Sequence, residues 1–196
     1  TTFRTFFTDT VEAGLFNALA LAESSRKHHI RQNHGFLYGE KYSVFDVMRL
    51  CGWPAEQVPQ NVGGYKLDTE SGSLPIFIKY EASQYGDRFL NPGEIEWFSK
   101  NNRSLKSNEF RWLLDGTERT PEWQNRHFVP IFIRRKAEEQ EKSYYFVGSA
   151  VALDDVRASV NPGEDGSESK VVISTLKLIK PVDPELYRHL TGKSAL

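Results

Sequence analysis

The sequence has little cysteine and no long apolar run. A single cysteine excludes a disulfide scaffold and a zinc site built from several cysteines. No stretch approaches the roughly 18 consecutive apolar residues of a membrane-spanning helix. The chain also begins Thr1-Thr2-Phe3, without a methionine or a charged and then apolar leader. We therefore expect a soluble, cytoplasmic protein that is one piece of a longer polypeptide.

Aromatic residues and a balanced charge are what the sequence does contain. Its 196 residues include 13 Phe, 8 Tyr and 4 Trp, enough to fill the core of a folded domain. Lysine and arginine number 25 and aspartate and glutamate 26, so net charge neither demands nor excludes a nucleic-acid partner. The distribution is uneven, with basic residues at 26–31, 103–111 and 134–136 and acidic residues at 138–141 and 164–168.

Three segments have the periodicity and end signals of helices. Asp9 and Glu12 form a pattern like a capping box at the start of a helix over residues 9–28. Ser43 with Asp46 begins a second helix, which Gly52 and Pro54 end and in which Cys51 lies on the apolar face. A short helix over residues 183–190 closes the chain.

Alternating apolar residues predict the strands. Residues 65–67 and 74–80 resemble a first hairpin, and residues 128–134 and 144–148 a second one that ends in a glycine kink or bulge. Pro-Ile-Phe-Ile occurs in both hairpins, 55 residues apart, which indicates equivalent packing of two strands. A last strand over 171–179 follows an acidic loop at 161–169. The sequence therefore predicts an α+β fold, a curved antiparallel or mixed sheet forming a pseudo-barrel with flanking helices.

The segment between the hairpins is the least ordinary part of the chain. Asn91-Pro92-Gly93-Glu94 combines a helix N-cap, a proline at the first helical position and an acidic third residue. We expect a short helix there that carries Ile95, Trp97 and Phe98. The following residues, 99–109, are polar and positively charged apart from Leu105.

No set of residues supports catalysis or a cofactor. Thr191-Gly192-Lys193-Ser194 lacks the upstream glycine of a phosphate-binding loop, and adjacent His28 and His29 point to different faces of a helix. There is no Gly-x-Ser-x-Gly elbow and no His-x-Lys pair. We expect a domain without catalytic residues, metal or cofactor.

Aromatic and polar residues interleave between positions 80 and 107, which is a pattern that suits nucleic-acid binding. Aromatic rings stack on bases, amides and carboxylates bond to base edges, and cations neutralise phosphates. Strand aromatics equally fill protein cores, so a purely structural role for each ring stays open. The candidate binding residues are Tyr85, Asp87, Phe89, Trp97, Ser99, Asn101, Arg103, Ser104 and Lys106.

Several short motifs, taken in order, resemble a known family from about residue 36 to 190. It is the domain of unknown function at the C-terminus of superfamily II helicases, which often carry a phospholipase-D-like nuclease and include modification-dependent type IV restriction enzymes. The motifs are Tyr42-Ser43, Asp46-Val47, Arg49-Leu50, Gly52-Trp53, Gly64-Tyr65, the first Pro-Ile-Phe-Ile, residues 85–92, Trp97-Phe98-Ser99, Arg103-Ser104-Leu105, Ser107-x-Glu109, residues 144–148, Leu176-x-Leu178-x-x-Pro181 and Leu186-Tyr187.

The resemblance implies a DNA-specificity domain in a phage-defence enzyme. The domain would be similar to the SET and RING associated (SRA) base-flipping domains and would read modified cytosine in double-stranded DNA. Asp87 would face the exocyclic amine, Trp97 or Phe89 would stack, and Arg103 and Lys106 would hold phosphate.

The resemblance also implies an organisation and two alternatives. Residues 1–35 would form an N-terminal helix and linker, and residues 36–196 the reader domain, with helicase and nuclease elsewhere in the parent protein. The sequence departs from the family around 115–126 and 161–169, which leaves the preferred modification open. A coupling domain that touches no base, or a reader of modified RNA, are the alternatives.

Overall fold

The structure is a computed structural model that describes most of the chain in five stretches. These are residues 34–54, 58–81, 86–116, 121–162 and 168–193, with six further residues in the N-terminal segment. Of the predicted helix over 9–28, Val11, Glu12, Gly14 and Leu15 are helical, and the rest lies outside the described residues. The division at residue 35 stays a prediction.

The described residues form an α+β fold around one mixed seven-stranded sheet, as predicted. The strands are β1 (Lys41–Ser43), β2 (Ile76–Tyr80), β3 (Arg88–Asn91), β4 (Glu94–Phe98), β5 (Pro130–Arg135), β6 (Ser143–Pro162) and β7 (Glu168–Leu178). The α-helices are α1 (Val44–Leu50), α2 (Asn108–Leu113), α3 (Pro121–Arg126) and α4 (Pro184–Thr191). Two short 3-10 helices, Pro59–Asn61 and Lys136–Glu138, complete the elements.

The sheet has the order β2-β5-β6-β7-β4-β3, with β1 added beside β6, and it forms a half-barrel. Strand β6 is 20 residues long and pairs with β1 and β5 through its first half and with β7 through its second half. Register shifts between Ala150 and Ala152 and between Asp154 and Arg157 interrupt its pairing with β7. Bulges of this kind bend a strand, so β6 can serve both halves of the curved sheet.

The two Pro-Ile-Phe-Ile segments lie side by side. Strands β2 and β5 pair in parallel, with Ile76 opposite Ile131 and Phe77 opposite Phe132. Side chains alternate between the two faces of a strand, so the isoleucines enter one apolar cluster and the phenylalanines the other. The rings of Phe77 and Phe132 stack with centroids 5.2 Å apart. The repeated motif thus marks two neighbouring strands that are buried on both faces.

The sequence predicted the helix at Ser43 correctly. Ser43 is the N-cap of α1, and its side chain accepts a hydrogen bond from the Asp46 backbone N–H while Asp46 bonds back, which makes a capping box. Cys51 is buried, as expected of an apolar-face residue. The last helix is confirmed as well, because α4 begins after the N-cap Asp183.

The second predicted hairpin is confirmed, and the first is reduced to two isolated bridges. Strands β5 and β6 pair antiparallel with a register shift beside Gly148, which is the predicted bulge. In the first hairpin, Tyr65 bridges Ile76 and Asp68 bridges Ser73, but β2 takes its continuous ladder from β5 instead.

The predicted helix at residues 91–98 is wrong. Asn91 ends β3 and Glu94 begins β4, so Pro92 and Gly93 are the turn of a hairpin. The Asn91 Oδ1 accepts a hydrogen bond from the Gly93 N–H at 2.8 Å, the bond of an Asx-turn. Ile95 and Trp97 point into the core two residues apart, which is strand spacing.

Candidate nucleic-acid interface

Asp87 lies immediately before β3, against the end of the neighbouring strand. Its Oδ1 accepts a hydrogen bond of 2.8 Å from the backbone N–H of Phe98, the last residue of β4. Burial raises the pKa of the Asp87 carboxyl to about 7, and the Phe98 N–H opposes that rise. The side chain is therefore a partly buried carboxyl that exchanges a proton near neutral pH.

The polar segment from residue 99 to 107 continues directly from β4. Ser99 is buried and fixes the start of the segment, because its hydroxyl accepts a hydrogen bond of 2.8 Å from the Val172 N–H on β7. Farther along, Asn101 is exposed and Asn102 has a positive φ of 60°, a conformation that asparagine tolerates. The segment thus turns outward from a fixed point beside Asp87.

Backbone bonds then hold the segment against β7 and α2. The Arg103 N–H donates to the Lys170 carbonyl on β7 at 3.2 Å. The Ser104 N–H donates to the Ser107 hydroxyl at 3.1 Å, and the Ser104 hydroxyl accepts a hydrogen bond from the Lys106 N–H at 3.3 Å. Ser104 therefore shapes the turn, while the Lys106 side chain stays exposed.

A cleft of about 650 Å³, here called the cationic cleft, opens between this segment, α2 and the stretch before β2. Among its lining residues, Lys66, Lys100, Arg103 and Arg111 carry positive charge, and Glu109 and Asp115 carry negative charge. Cations exceed carboxylates by two, so the cleft attracts anions such as a nucleic-acid backbone.

Tyr65 and Lys100 form the inner wall of the cationic cleft. The Lys100 Nζ lies 4.7 Å from the centre of the Tyr65 ring and donates to the Val62 carbonyl at 2.9 Å. Burial, and then the charge of Arg103, lower the pKa of Lys100. The ammonium is thus held in place by a ring face and a carbonyl rather than by a carboxylate.

Glu109 organises the outer wall. Its Oε1 lies 2.9 Å from the Arg103 Nε and accepts a hydrogen bond of 3.1 Å from the Tyr65 hydroxyl. Burial raises the pKa of Tyr65, so the hydroxyl stays protonated and remains a donor. One carboxylate therefore orients a guanidinium whose remaining N–H groups can bind another acceptor.

The two rings expected to stack on a base lie in the core. Trp97 is 1% exposed and packs between Tyr65 and Phe110, with ring centroids 5.0 and 5.8 Å away. Phe89 is 6% exposed and contacts Tyr80 and Tyr187. Neither ring offers an open face in this structure, which corrects their assignment as stacking surfaces. Tyr85 lies outside the described residues.

The structure thus brings six of the candidate residues into one continuous region and buries the rings of Trp97 and Phe89 in the core. The six are Asp87, Ser99, Asn101, Arg103, Ser104 and Lys106. Sequence reasoning missed Tyr65 and Lys100, although both were visible in the sequence. Tyr65 stood in a predicted strand, and Lys100 in the polar segment. Their meeting is a tertiary contact over 35 positions, which local patterns do not contain.

Within the five described stretches, no three histidine, cysteine or carboxylate side chains come close enough together to hold a metal ion. None of the helices found there has the length and apolar character that crossing a membrane requires.

Two solved structures match most of this chain. A solved structure of the sulfur-binding and SRA domains of ScoMcrA complexed with phosphorothioated DNA matches with a TM-score of 0.43 and 16% identity, over 81% of this chain and 47% of that chain. The SRA domain of SUVH5 with hemi-methylated CG DNA matches with a TM-score of 0.43 and 15% identity, over 76% of this chain and 92% of that chain. No curated protein matches significantly. Residues 36–190 match the family described as a domain of unknown function (DUF3427), and the chain belongs to that family.

Proposed function

We propose that this chain is a DNA-binding specificity domain that recognises modified cytosine in double-stranded DNA. The observation that carries the proposal is the hydrogen bond between Asp87 and the Phe98 N–H. It holds a carboxyl, the group that pairs with an exocyclic amine, at the start of the exposed cationic segment. Base-edge recognition and phosphate binding then lie next to each other, as reading a DNA base requires.

The two parts have separate roles. Asp87 contacts the edge of the base, and its partial burial strengthens a hydrogen bond made there. Arg103 and Lys106, with Lys100 behind them, neutralise the phosphates on either side of that base. Asn101 and Ser104 add donors and acceptors at the exposed turn. A base reaches the Asp87 carboxyl by leaving the duplex stack, so base flipping is part of the proposal.

The resemblance found in the sequence supplies the setting of the proposal. The chain would be the specificity module of a type IV restriction or phage-defence protein in which helicase and nuclease domains do the chemistry. The chain itself would contribute binding without catalysis, cofactor or metal.

The test is binding of the 196-residue chain to duplexes that differ at one cytosine. The duplexes carry unmodified, 5-methyl, 5-hydroxymethyl or glucosylated cytosine, and affinity is measured at two salt concentrations. We expect at least tenfold tighter binding to one modified duplex, which equals about 1.4 kcal/mol. Equal affinity for all four duplexes would overturn recognition of the modification and leave a general DNA clamp. Absence of binding would favour a domain that couples helicase and nuclease.

RNA is the matched control in this test. The same sequence as modified RNA should bind at least tenfold more weakly than the preferred DNA duplex. A reversed order would assign the domain to modified RNA instead.

A further inference from the structure

A second cleft lies at the end of the half-barrel, where β2 and β5 finish beside α4. It has a volume of about 850 Å³, and we call it the rim cleft. Tyr80, Arg135 and Arg188 line it together with Glu81 and Glu185. The candidate binding residues on the 99–106 segment are not among its lining residues, so it is distinct from the cationic cleft.

The strand ladders explain why Arg135 reaches this place. Ile131 and Ile133 of β5 point into the core at alternate positions, and Arg135 is the next residue in that row. In the parallel ladder, Arg135 lies opposite Tyr80, the last residue of β2. The apolar row therefore ends in a guanidinium and a phenol, which are polar groups at the open edge of the core.

Two of the basic side chains at the rim cleft already have carboxylate partners. Lys136 forms an ion pair of 2.7 Å with Glu81, and the His189 Nε2 lies 2.8 Å from the Glu138 Oε1. Arg135 and Arg188, in contrast, have no ion-pair partner among the residues that the structure describes. Glu185 is the remaining carboxylate of the lining, and it pairs with neither arginine.

The Tyr80 hydroxyl adds a neutral donor. The Tyr80 residue is 6% exposed, and within the described stretches its hydroxyl has no hydrogen-bond partner. Burial raises the pKa of Tyr80, so the hydroxyl keeps its proton at neutral pH. Two guanidinium groups and one hydroxyl donor form a set that suits a phosphate, because guanidinium binds phosphate oxygens in pairs.

The rim cleft is close enough to Asp87 to contact the same DNA strand. Glu81 lines the cleft and precedes Asp87 by six positions, so their Cα atoms are at most about 22 Å apart. A DNA strand carries one phosphate per roughly 3.4 Å of helix axis, so this span covers about six nucleotides. Direct packing also links the two places, since the Tyr80 ring lies 5.8 Å from the ring of Phe89 on β3.

We propose that the rim cleft binds a phosphodiester group of the DNA strand flanking the recognised base, with Arg135 and Arg188 as its ligands and the Tyr80 hydroxyl as a third donor. The proposal rests on the function proposed above and extends the DNA footprint beyond the cationic cleft. The same phosphate chemistry is offered by a free nucleotide, so the experiment separates the two sources.

The test compares the salt dependence of DNA binding in the 196-residue chain and in the double variant Arg135→Gln/Arg188→Gln. Affinity falls as salt rises, and each lost phosphate contact makes the plot of log affinity against log salt concentration less steep by about 0.9. For two lost contacts we therefore expect a slope that is less steep by about 1.8. The preference for the modified duplex should stay unchanged, because the contact reads no base. Arg49→Gln/Lys180→Gln removes two charges elsewhere and should leave the slope as it is.

Each outcome has a distinct meaning. Selective binding with an unchanged slope in the double variant would overturn the rim-cleft proposal and leave the reader function standing. A less steep salt dependence in the double variant, together with equal affinity of the parent chain for all duplexes, would support the rim cleft and contradict the reader function. ATP binding that the double variant loses, with its DNA slope intact, would assign the cleft to a free nucleotide and overturn the DNA contact.

A folding defect is distinguished by a second variant. Tyr80→Phe keeps the ring in the core and removes only the hydroxyl, so its urea unfolding should match that of the parent chain. We expect a two- to fivefold weaker affinity for every duplex at fixed salt. Unchanged affinity would remove Tyr80 from the proposed ligand set.

Discussion

The Asp87 Oδ1 accepts a hydrogen bond of 2.8 Å from the Phe98 backbone N–H, and this contact adds to the antiparallel pairing of β3 with β4, in which Arg88 lies opposite Glu96. Only one of the two carboxyl oxygens, Oδ1, takes part in this hydrogen bond. Among the residues that the structure describes, this is the one hydrogen bond made by the Asp87 side chain.

Stability should fall as pH rises through the range in which Asp87 loses its proton. Burial raises the pKa of the folded carboxyl from 3.8 to about 7, so the folded state holds the proton that the unfolded chain has released. The stabilisation is fully present below pH 4 and is lost as pH rises through 7, by at most about 4 kcal/mol. Urea unfolding of the parent chain and of Asp87→Asn between pH 4 and 8 measures the difference.

The control for this titration is Asp155→Asn, which changes an exposed carboxyl at a bulge of β6. It shows what removing a carboxyl at an exposed position does to the stability. A profile for Asp87→Asn that parallels the parent would show that Asp87 titrates normally.

Asp87 and Lys106 should affect DNA binding in different ways. Asp87→Asn replaces the carboxyl that we propose faces the base with an amide, so we expect the preference for modified over unmodified duplex to fall at least tenfold. Lys106→Gln removes an exposed charge and should weaken all duplexes alike while reducing the salt slope by about 0.9. Fluorescence anisotropy at several salt concentrations measures both quantities. If Lys106→Gln lost the preference for the modified duplex and Asp87→Asn kept it, the proposed roles of the two residues would be reversed.

Trp97 should contribute to stability rather than to stacking on a base. Its ring is almost fully buried between Tyr65 and Phe110, so Trp97→Ala should lower the free energy of unfolding by about 3–5 kcal/mol. Trp97→Phe keeps an aromatic core residue and should retain the DNA preference. Phe45→Ala, at a side chain 51% exposed, is the control and should change stability by less than about 0.5 kcal/mol. A folded Trp97→Phe without DNA preference would restore the stacking role.

Replacing Gly148 with a larger residue should destabilise the folded chain. Gly148 has a φ of +130°, and an added Cβ would lie 3.1 Å from the Tyr38 Cε1. Gly148→Ala combines backbone strain with a close contact, so we expect a loss of about 2–3 kcal/mol in the free energy of unfolding. Gly52→Ala is the comparison, because its φ is +74° and its Cβ would meet nothing within 4 Å. A loss of only about 1 kcal/mol is expected there, and equal losses at both positions would contradict the role of Tyr38.

Local signals in the sequence predicted local structure well. The capping box at Ser43 and Asp46 is a pattern over four residues, and the bulge at Gly148 follows from one glycine in a strand. The error at residues 91–98 is also local, since asparagine, proline and glycine serve turns as readily as helix starts. There the alternation of Ile95 and Trp97 was the better signal.

The candidate site was predictable only in part. Asp87 and the cationic residues after Ser99 follow from motif and composition, but the partners that hold them come from distant positions. Tyr65 meets Lys100, and β2 pairs with β5, only in the folded chain. A pattern read along the sequence contains neither the parallel pairing of β2 with β5 nor the burial of the Trp97 ring between Tyr65 and Phe110.

The in-register pairing of the two Pro-Ile-Phe-Ile strands also bears on how the chain folds. Ile76 and Ile131 meet only after the intervening residues, which include the whole β3–β4 hairpin and helices α2 and α3, have been enclosed in a loop. Closing such a loop costs entropy before any contact between the two strands repays it, so this pairing forms late. During synthesis, β2 therefore cannot pair with β5 until residue 135 has left the ribosome. Its apolar faces are then exposed to chaperones or to aggregation.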